Sequence, residues 1–253
     1  MPVTGNNQIS YSLSIRITAD GFSFFVTEAY SGDLLHREDY PAKGADLLLQ
    51  TLTKAIIRPT ITRQEFNQVR VVIDSDSTCI PMDEFRQEDL DALYKQVFSQ
   101  SDVAQNKVCH TVIEQLGVVE AFTVPQKVYD LVMEHFPTAI ITNSYATVMQ
   151  RVASFCQRRN PASQPLFAYV QNDQLFIFSI FADTLLFANS FTIEKEQNAL
   201  FFLLSVWKEL GLDVREHYCF IGGDPTPTQR LIEEARNYLL HVEQMNSVDL
   251  EHL

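Results

Sequence analysis

The sequence predicts a mixed α/β protein made of two like-folded halves, and three observations support this prediction. A three-strand pattern followed by an amphipathic helix and a short apolar strand occurs twice, with starts about 155 residues apart. Apolar residues recur every two positions in the predicted strands and every three to four in the predicted helices, and these patterns follow the same order in both copies. The 253 residues, 46% of them hydrophobic, are enough to bury a large core.

The first copy begins with a strand at Tyr11–Thr18, in which apolar and polar side chains alternate. A turn at Asp20-Gly21 leads to a second strand, Phe22–Thr27, and a third strand lies near Leu34–Asp39. The copy then continues with a helix and a strand, at Ala45–Ile57 and Val69–Ile73.

A block of sheet and helix is predicted between the two copies. It contains a β-hairpin about Leu116-Gly117, a helix that begins at Pro125, and a later helix with Asn143 or Ser144 as its N-cap. The elements of the block are strands Lys107–Ile113 and Val118–Thr123, helix Gln126–His135, strand Ala139–Ile141 and helix Tyr145–Phe155. An acidic helix about Leu90 to Phe98 precedes it, and its solvated face would suit a basic partner.

The second copy begins with strand Leu166–Val170 and a turn at Asn172-Asp173. The polar stretch Gln157–Pro165 before it has no apolar periodicity, so we place the domain boundary there. Residues 1–157 form the first lobe, with the inserted hairpin and helix block, and residues 158–253 form the second lobe. The further elements of the second copy are Leu175–Phe181, Leu185–Thr192, the helix Glu194–Leu210 and the strand Tyr218–Ile221.

Composition excludes several classes of function. A net charge of −13 and a pI near 4.8 oppose nucleic acid or anionic membrane as the main partner, because phosphate binding needs a basic surface. The chain has no apolar run long enough for a membrane span and no signal-like start, so we expect a cytoplasmic protein that reaches membrane-associated assemblies only through a partner. Free thiols are expected at Cys79, Cys109, Cys156 and Cys219.

Three stretches resemble a known fold family. The strand and glycine pair of Tyr218–Asp224 are similar to the adenosine segment of actin-like ATPases. The run from Val124 to Met149 is similar to part of the actin-like cytoplasmic proteins of type IV pilus assembly and type II secretion, and Leu13–Phe24 resembles an uncharacterised bacterial family with a degenerate version of the fold. The resemblance implies a duplicated ribonuclease-H-like (actin-like ATPase) fold, in which two lobes with mixed sheets flanked by helices surround a cleft.

The departures from that family concern the phosphate site. Actin-like ATPases carry an aspartate and a glycine-rich turn in the first hairpin of each half, which hold Mg²⁺ and the phosphates. Here Arg16 and Thr18 stand at those positions in the first half, and Tyr169–Asn172 has no acid within its strand. The sequence therefore predicts that ATP hydrolysis is lost, with no catalytic residue, metal ligand or cofactor. If a nucleotide does bind, Arg16, Gly222, Gly223 and Asp224 would contact it.

A second motif supports a different activity. Asp74–Thr78 follows an apolar strand and matches the D-x-D-x-T signature of haloacid-dehalogenase-type phosphatases, with Asp74 as nucleophile and Asp76 as general acid and base around Mg²⁺. Thr142 or Ser144 would then bind the phosphoryl group, and Asp224 would supply a late ligand. Against this interpretation, a meander and a helix precede the motif. A polar turn at the end of a strand explains the same residues.

We expect a non-catalytic protein-binding or scaffold protein, with a segment of a protein partner held in the cleft between the lobes or at an exposed sheet edge. The alternatives are a nucleotide-binding actin-like ATPase and a Mg²⁺-dependent phosphatase that uses Asp74 and Asp76.

Overall fold

A computed structural model describes residues 10–62, 64–98, 105–159, 163–193 and 197–245. The strands are β1 (Tyr11–Thr18), β2 (Gly21–Glu28), β3 (Leu34–Pro41), β4 (Phe66–Ile73), β5 (Ser77–Pro81), β6 (Asn106–Ile113), β7 (Val118–Pro125), β8 (Ile140–Asn143), β9 (Leu166–Gln171), β10 (Gln174–Phe181), β11 (Thr184–Thr192), β12 (Tyr218–Gly223) and β13 (His241–Gln244). The α-helices are α1 (Ala45–Ile56), α2 (Pro59–Thr62), α3 (Leu90–Val97), α4 (Gln126–His135), α5 (Ser144–Arg159), α6 (Gln197–Glu209) and α7 (Pro225–Ala235). No helix in these ranges is long and apolar enough to cross a bilayer.

Two five-stranded sheets have the same topology. The first has the order β3-β2-β1-β4-β8, and the second has the order β11-β10-β9-β12-β13. In each sheet the first three strands in sequence form an antiparallel meander, and the last two strands run parallel to the first. The predicted duplication is confirmed, because order and direction agree for all five strands.

The repeat extends to individual hydrogen bonds at the strand ends. The backbone N–H of Asp74 donates to the carbonyl of Ile17 at 3.1 Å, and the N–H of Asp224 donates to the carbonyl of Val170 at 2.8 Å. Asp74 and Asp224 are therefore equivalent residues of the two halves.

Each sheet packs helices against one face, and the second sheet also packs a helix against the other. Leu13, Ile15 and Ile17 of β1 point into the core beneath α1. The equivalent core of the second lobe lies beneath α6 and α7. The opposite face of the second sheet is covered by α5, with a cluster of rings from Phe167, Phe176, Phe178 and Phe220. The chain's own helices thus bury both faces of β10, in which Leu175–Phe181 is apolar at every position except Ser179.

The inserted block forms a third sheet with the order β5-β7-β6. Its hairpin turns at Gly117, which has a left-handed backbone conformation with φ of 62°, as the predicted turn at Leu116-Gly117 requires. The helix α3 packs on this sheet through Leu90 and Tyr94, which are buried, while its acidic residue, Asp91, is exposed.

Several boundaries differ from the sequence-based expectation. Pro125 ends β7 instead of beginning a helix. Helix α5 extends to Arg159 because Cys156 and its neighbours still pack on the second lobe. The predicted domain boundary at Gln157–Pro165 therefore begins inside the last turn of this helix. Residues 160–162 and the predicted helix start at Glu194 lie outside the described residues. The division into 1–157 and 158–253 stays a prediction.

Candidate functional site

The carboxyl ends of the central strands of both sheets meet at the cleft between the lobes. The side-chain amide of Gln171, at the end of β9, donates from Nε2 to Asp74 Oδ2 at 2.8 Å. The backbone N–H of Asn172, in the following turn, donates to Asp224 Oδ2 at 2.6 Å. The two equivalent aspartates are therefore both bound by the same hairpin, the β9–β10 turn of the second lobe.

Arg16 lies in this cleft, on the face of β1 that points away from the first core. Burial raises the pKa of the Asp74 carboxyl and of the Tyr169 hydroxyl, and the charge of the Arg16 guanidinium opposes the rise at both groups, so Arg16 is close to both. Its Nε atom is buried and has no hydrogen-bond partner among the described residues. By the alignment of strand ends, Arg16 is equivalent to Tyr169, so a charged side chain and a neutral ring replace each other in the two halves.

Asp74 has an unfavourable environment for its charge. Burial raises its pKa, and the nearby carboxylate of Asp224 raises it further, while Arg16 and the hydroxyl of Ser144 act in the opposite direction. Gln171 is buried, and its carbonyl oxygen Oε1 has no partner among the described residues. The cleft therefore has polar groups with unused hydrogen-bonding capacity, which can bind water or a polar group of a ligand.

The glycine pair of the resemblance has a packing role in the structure. Gly223 has a φ of 114°, and a Cβ atom on it would lie 1.9 Å from the carbonyl oxygen of Val170. Only glycine allows β12 to approach β9 so closely. A substitution of Gly223 would therefore disturb the sheet as well as any ligand.

The segment after β4 forms the polar turn that was the alternative to a phosphatase motif. The side chain of Asn143 donates to the carbonyl of Ser75 at 2.7 Å, and the Tyr94 hydroxyl donates to the carbonyl of Asp76 at 3.0 Å. Asn143 also accepts the N–H of Tyr145 at 2.9 Å, so it is the N-cap of α5. The turn thus links the first sheet, α3 and α5.

The partners of the phosphatase interpretation are only partly brought together. Ser144 lies near Asp74, but the hydroxyl of Thr142 is 3.1 Å from that of Thr111 in the third sheet. Asp74 already accepts the Gln171 amide, and its strand belongs to a sheet with antiparallel members.

Glu120 is a buried acid to which the sequence interpretation gave no role. Its side chain is fully buried on β7, and burial raises its pKa to about 8, although the Ser77 hydroxyl and the backbone N–H of Ala146 favour the charged form. Ala146 lies in the first turn of α5, where backbone N–H groups lack helical partners. The available signal was a single acid within the apolar run Val118–Phe122.

The turn aspartates are ordinary surface residues. Asp20 is exposed and lies 3.9 Å from the ammonium group of Lys43, and Asp173 is also exposed. Across the described ranges, no three His, Cys, Asp or Glu side chains are close enough together to hold a metal ion. All four cysteines are free, as expected.

Comparison with known proteins agrees with this fold. A protein from Bacteroides thetaiotaomicron, with an actin-like ATPase fold and unknown function, has a TM-score of 0.82 and 21% identity, with 100% of this chain and 98% of that chain covered. The PilM–PilN type IV pilus biogenesis complex matches with a TM-score of 0.54 and 10% identity, covering 96% of this chain and 89% of that chain. No curated protein matches. The chain has the actin-like ATPase fold.

The family is also shown. A family model described as "Protein of unknown function (DUF3822)" matches residues 3–242, and the chain belongs to this family. The predicted membership of an uncharacterised family with an actin-like fold is confirmed.

Proposed function

We propose that this protein is a non-catalytic, partner-binding scaffold of the cytoplasm, in which the actin-like fold has lost ATP hydrolysis. The observation that carries the proposal is the bond between the Asn172 N–H and the Asp224 carboxylate in the β9–β10 turn. In an actin-like ATPase, backbone N–H groups of this turn approach the phosphates. In this chain the Asn172 N–H already donates to the carboxylate of Asp224, so this donor is not free for a phosphate.

The charges in the cleft support the same proposal. A polyphosphate would have to displace Asp224 from Asn172 and lie near the carboxylates of both Asp74 and Asp224. Two like charges within a partly buried site repel strongly unless a cation screens them. Arg16 offers one positive charge at this place, and a guanidinium cannot coordinate Mg²⁺ in place of an acid.

Partner binding is supported by a structural relative and by exposed sheet edges. The PilM–PilN structure is a complex of two proteins, and its match covers 96% of this chain. The edge strand β3 exposes Leu34 and Leu35, about half of each side chain. We propose a protein as the partner, and neither a nucleic acid nor a lipid bilayer, because the net charge is −13.

The nucleotide-binding alternative has one observation in its favour, the unpartnered Nε of Arg16. Thermal unfolding with millimolar Mg-ATP separates the two functions, because a ligand bound only by the native state raises the melting temperature. We expect no shift and no release of phosphate from ATP or from an aryl phosphate.

The matched variants are Arg16→Met in the cleft and Arg37→Met on the exposed edge strand β3. A saturable rise of several degrees that Arg16→Met abolishes and Arg37→Met retains would contradict the proposal and favour a nucleotide-binding protein. Turnover that Asp74→Asn abolishes would favour the phosphatase instead.

A further inference from the structure

Two sheets leave free edges that face each other. Strand β8 is the last strand of the first sheet, and β6 is the last strand of the third sheet. The hydroxyls of Thr111 on β6 and Thr142 on β8 are 3.1 Å apart, which fixes the distance between the edges at that end. Toward their amino ends a groove lies between the two strands.

The gap between these strands is a groove with a volume of about 490 Å³. We call it the strand-edge groove; its walls are residues 107–110 of β6, residues 139–141 at β8, the start of α3, and α4. The volume lies within the range of roughly 300–1,000 Å³ typical of ligand-binding pockets. On that side of each edge strand, no other strand of the described residues pairs with the backbone N–H and C=O groups.

Part of the lining of the groove is apolar. Val108, Tyr129, Met133 and Ile141 line it from β6, α4 and β8, and all except Val108 are only partly buried. Side chains of this kind bind the alternate, inward-pointing residues of an extended segment, while the strand edges supply backbone hydrogen bonds.

The rim of the groove is acidic. Glu88, just before α3, and Asp91, in its first turn, are both exposed and line the groove against one lysine, Lys107. Residues 83–91 carry five acids and one arginine, and that arginine, Arg86, donates to the carbonyls of Asp83 and Phe85 in its own loop. The potential at this end of the groove is therefore negative.

We propose that the strand-edge groove binds an extended segment of a protein partner in which apolar residues alternate with lysine or arginine. The segment would add a strand between β6 and β8, with apolar side chains on Tyr129, Met133 and Ile141 and basic side chains facing Glu88 and Asp91. The proposal rests on the partner-binding function proposed above and gives its site and the chemistry of its partner.

The test uses short synthetic peptides of one apolar pattern in three versions, with lysine, serine or glutamate between the apolar residues. Binding to the full chain is measured by fluorescence polarisation at low and high ionic strength. We expect the lysine version to bind most tightly and to weaken as salt rises, because exposed charges are screened. Ala139→Trp, which fills the groove, should abolish binding, and Cys109→Trp is an independent second block on the opposite wall.

The charge of the rim is tested by the double variant Glu88→Gln/Asp91→Asn, which should weaken the lysine peptide by about three- to tenfold. The matched control is Glu209→Gln/Glu216→Gln, which removes two exposed acids from the second lobe and should leave binding unchanged.

The outcomes distinguish a failure of the proposed binding site from a failure of the proposed scaffold function. Equal binding of the serine or glutamate version would refute the basic partner, and binding that survives both tryptophan variants would refute the groove. Neither result affects the proposal of a scaffold without ATP hydrolysis, which fails only on the Mg-ATP and phosphate-release measurements. The reverse also holds, because ATP turnover in a chain that binds the lysine peptide at the groove would refute the scaffold and leave the site intact.

Discussion

The two lobes share one topology but bury their sheets differently. Every residue of β9 is buried, and β10 is buried except at its two ends, whereas β1 alternates between buried and half-buried positions. The cause is α5, which packs on the second sheet and leaves the equivalent face of the first sheet partly open. One repeated fold can therefore have a one-sided and a two-sided sheet in the same chain.

The difference explains the composition of the two meanders. The open face of the first sheet carries Ser12, Ser14 and Arg16, while the matching face of the second carries Phe167 and Tyr169. The first lobe can thus present polar groups toward the cleft, and the second lobe depends on α5 to keep its aromatic face from water.

The largest expected effect is a difference in the loss of stability when two equivalent phenylalanines are replaced by alanine. Phe25 pairs with Ser14 and Phe178 pairs with Phe167, which places both rings at the same position of the repeat. Phe178 is fully buried, so Phe178→Ala should lower the free energy of unfolding by about 3–5 kcal/mol. Phe25 is half-buried beneath Arg37, and Phe25→Ala should lower it by about 1 kcal/mol or less.

Urea denaturation measures both values on the same protein. Phe25→Leu and Phe178→Leu, which retain most of the volume, serve as matched controls and should show the same order with smaller losses. Equal losses for the two alanine variants would mean that the exposed face of the first sheet is covered in solution.

A smaller effect is expected at Glu120, beneath the first turn of the helix that distinguishes the two lobes. Its pKa is raised from the model-compound value of 4.5 to about 8, so the folded chain holds a proton that the unfolded chain releases. Stability is therefore highest at low pH for this group and falls as the pH rises from about 4.5 through about 8.

Glu120→Gln should remove that pH dependence. The difference in the free energy of unfolding between the variant and wild type should therefore be more favourable to the variant at pH 8 than at pH 5, by on the order of 3 kcal/mol. Urea denaturation at both pH values measures it, with Glu209→Gln as an exposed control. Parallel pH profiles for wild type and Glu120→Gln would contradict the buried proton.

The sequence was sufficient for the elements whose periodicity is local. The alternation of Tyr11–Thr18 and the apolar run Leu175–Phe181 gave the strands, and their repeated order gave the duplication. Strand β13 has only four residues and no period, and it forms because parallel pairing with β12 satisfies its backbone. The contact between Asp74 and Gln171 joins residues 97 positions apart, and no local pattern indicates it.

The smallest expected effect concerns the two equivalent aspartates. Asp224→Asn exchanges a charge-assisted hydrogen bond from Asn172 for a neutral one and should cost about 1 kcal/mol.

Asp74→Asn keeps an acceptor for Gln171 and removes a carboxyl group whose pKa is raised by burial. The stability of this variant relative to wild type should therefore increase as the pH rises above about 4. At neutral pH we expect Asp74→Asn to change stability by less than about 1 kcal/mol, in the stabilising direction. Because the carboxylates repel each other and either single variant already removes that repulsion, the double variant should be less stable than the sum of the two single effects predicts. Denaturation of the four proteins at pH 4 and pH 7 tests the order, and a larger loss for Asp74→Asn than for Asp224→Asn at pH 7 would mean that the bond between the lobes, rather than the turn of the second lobe, holds the cleft together.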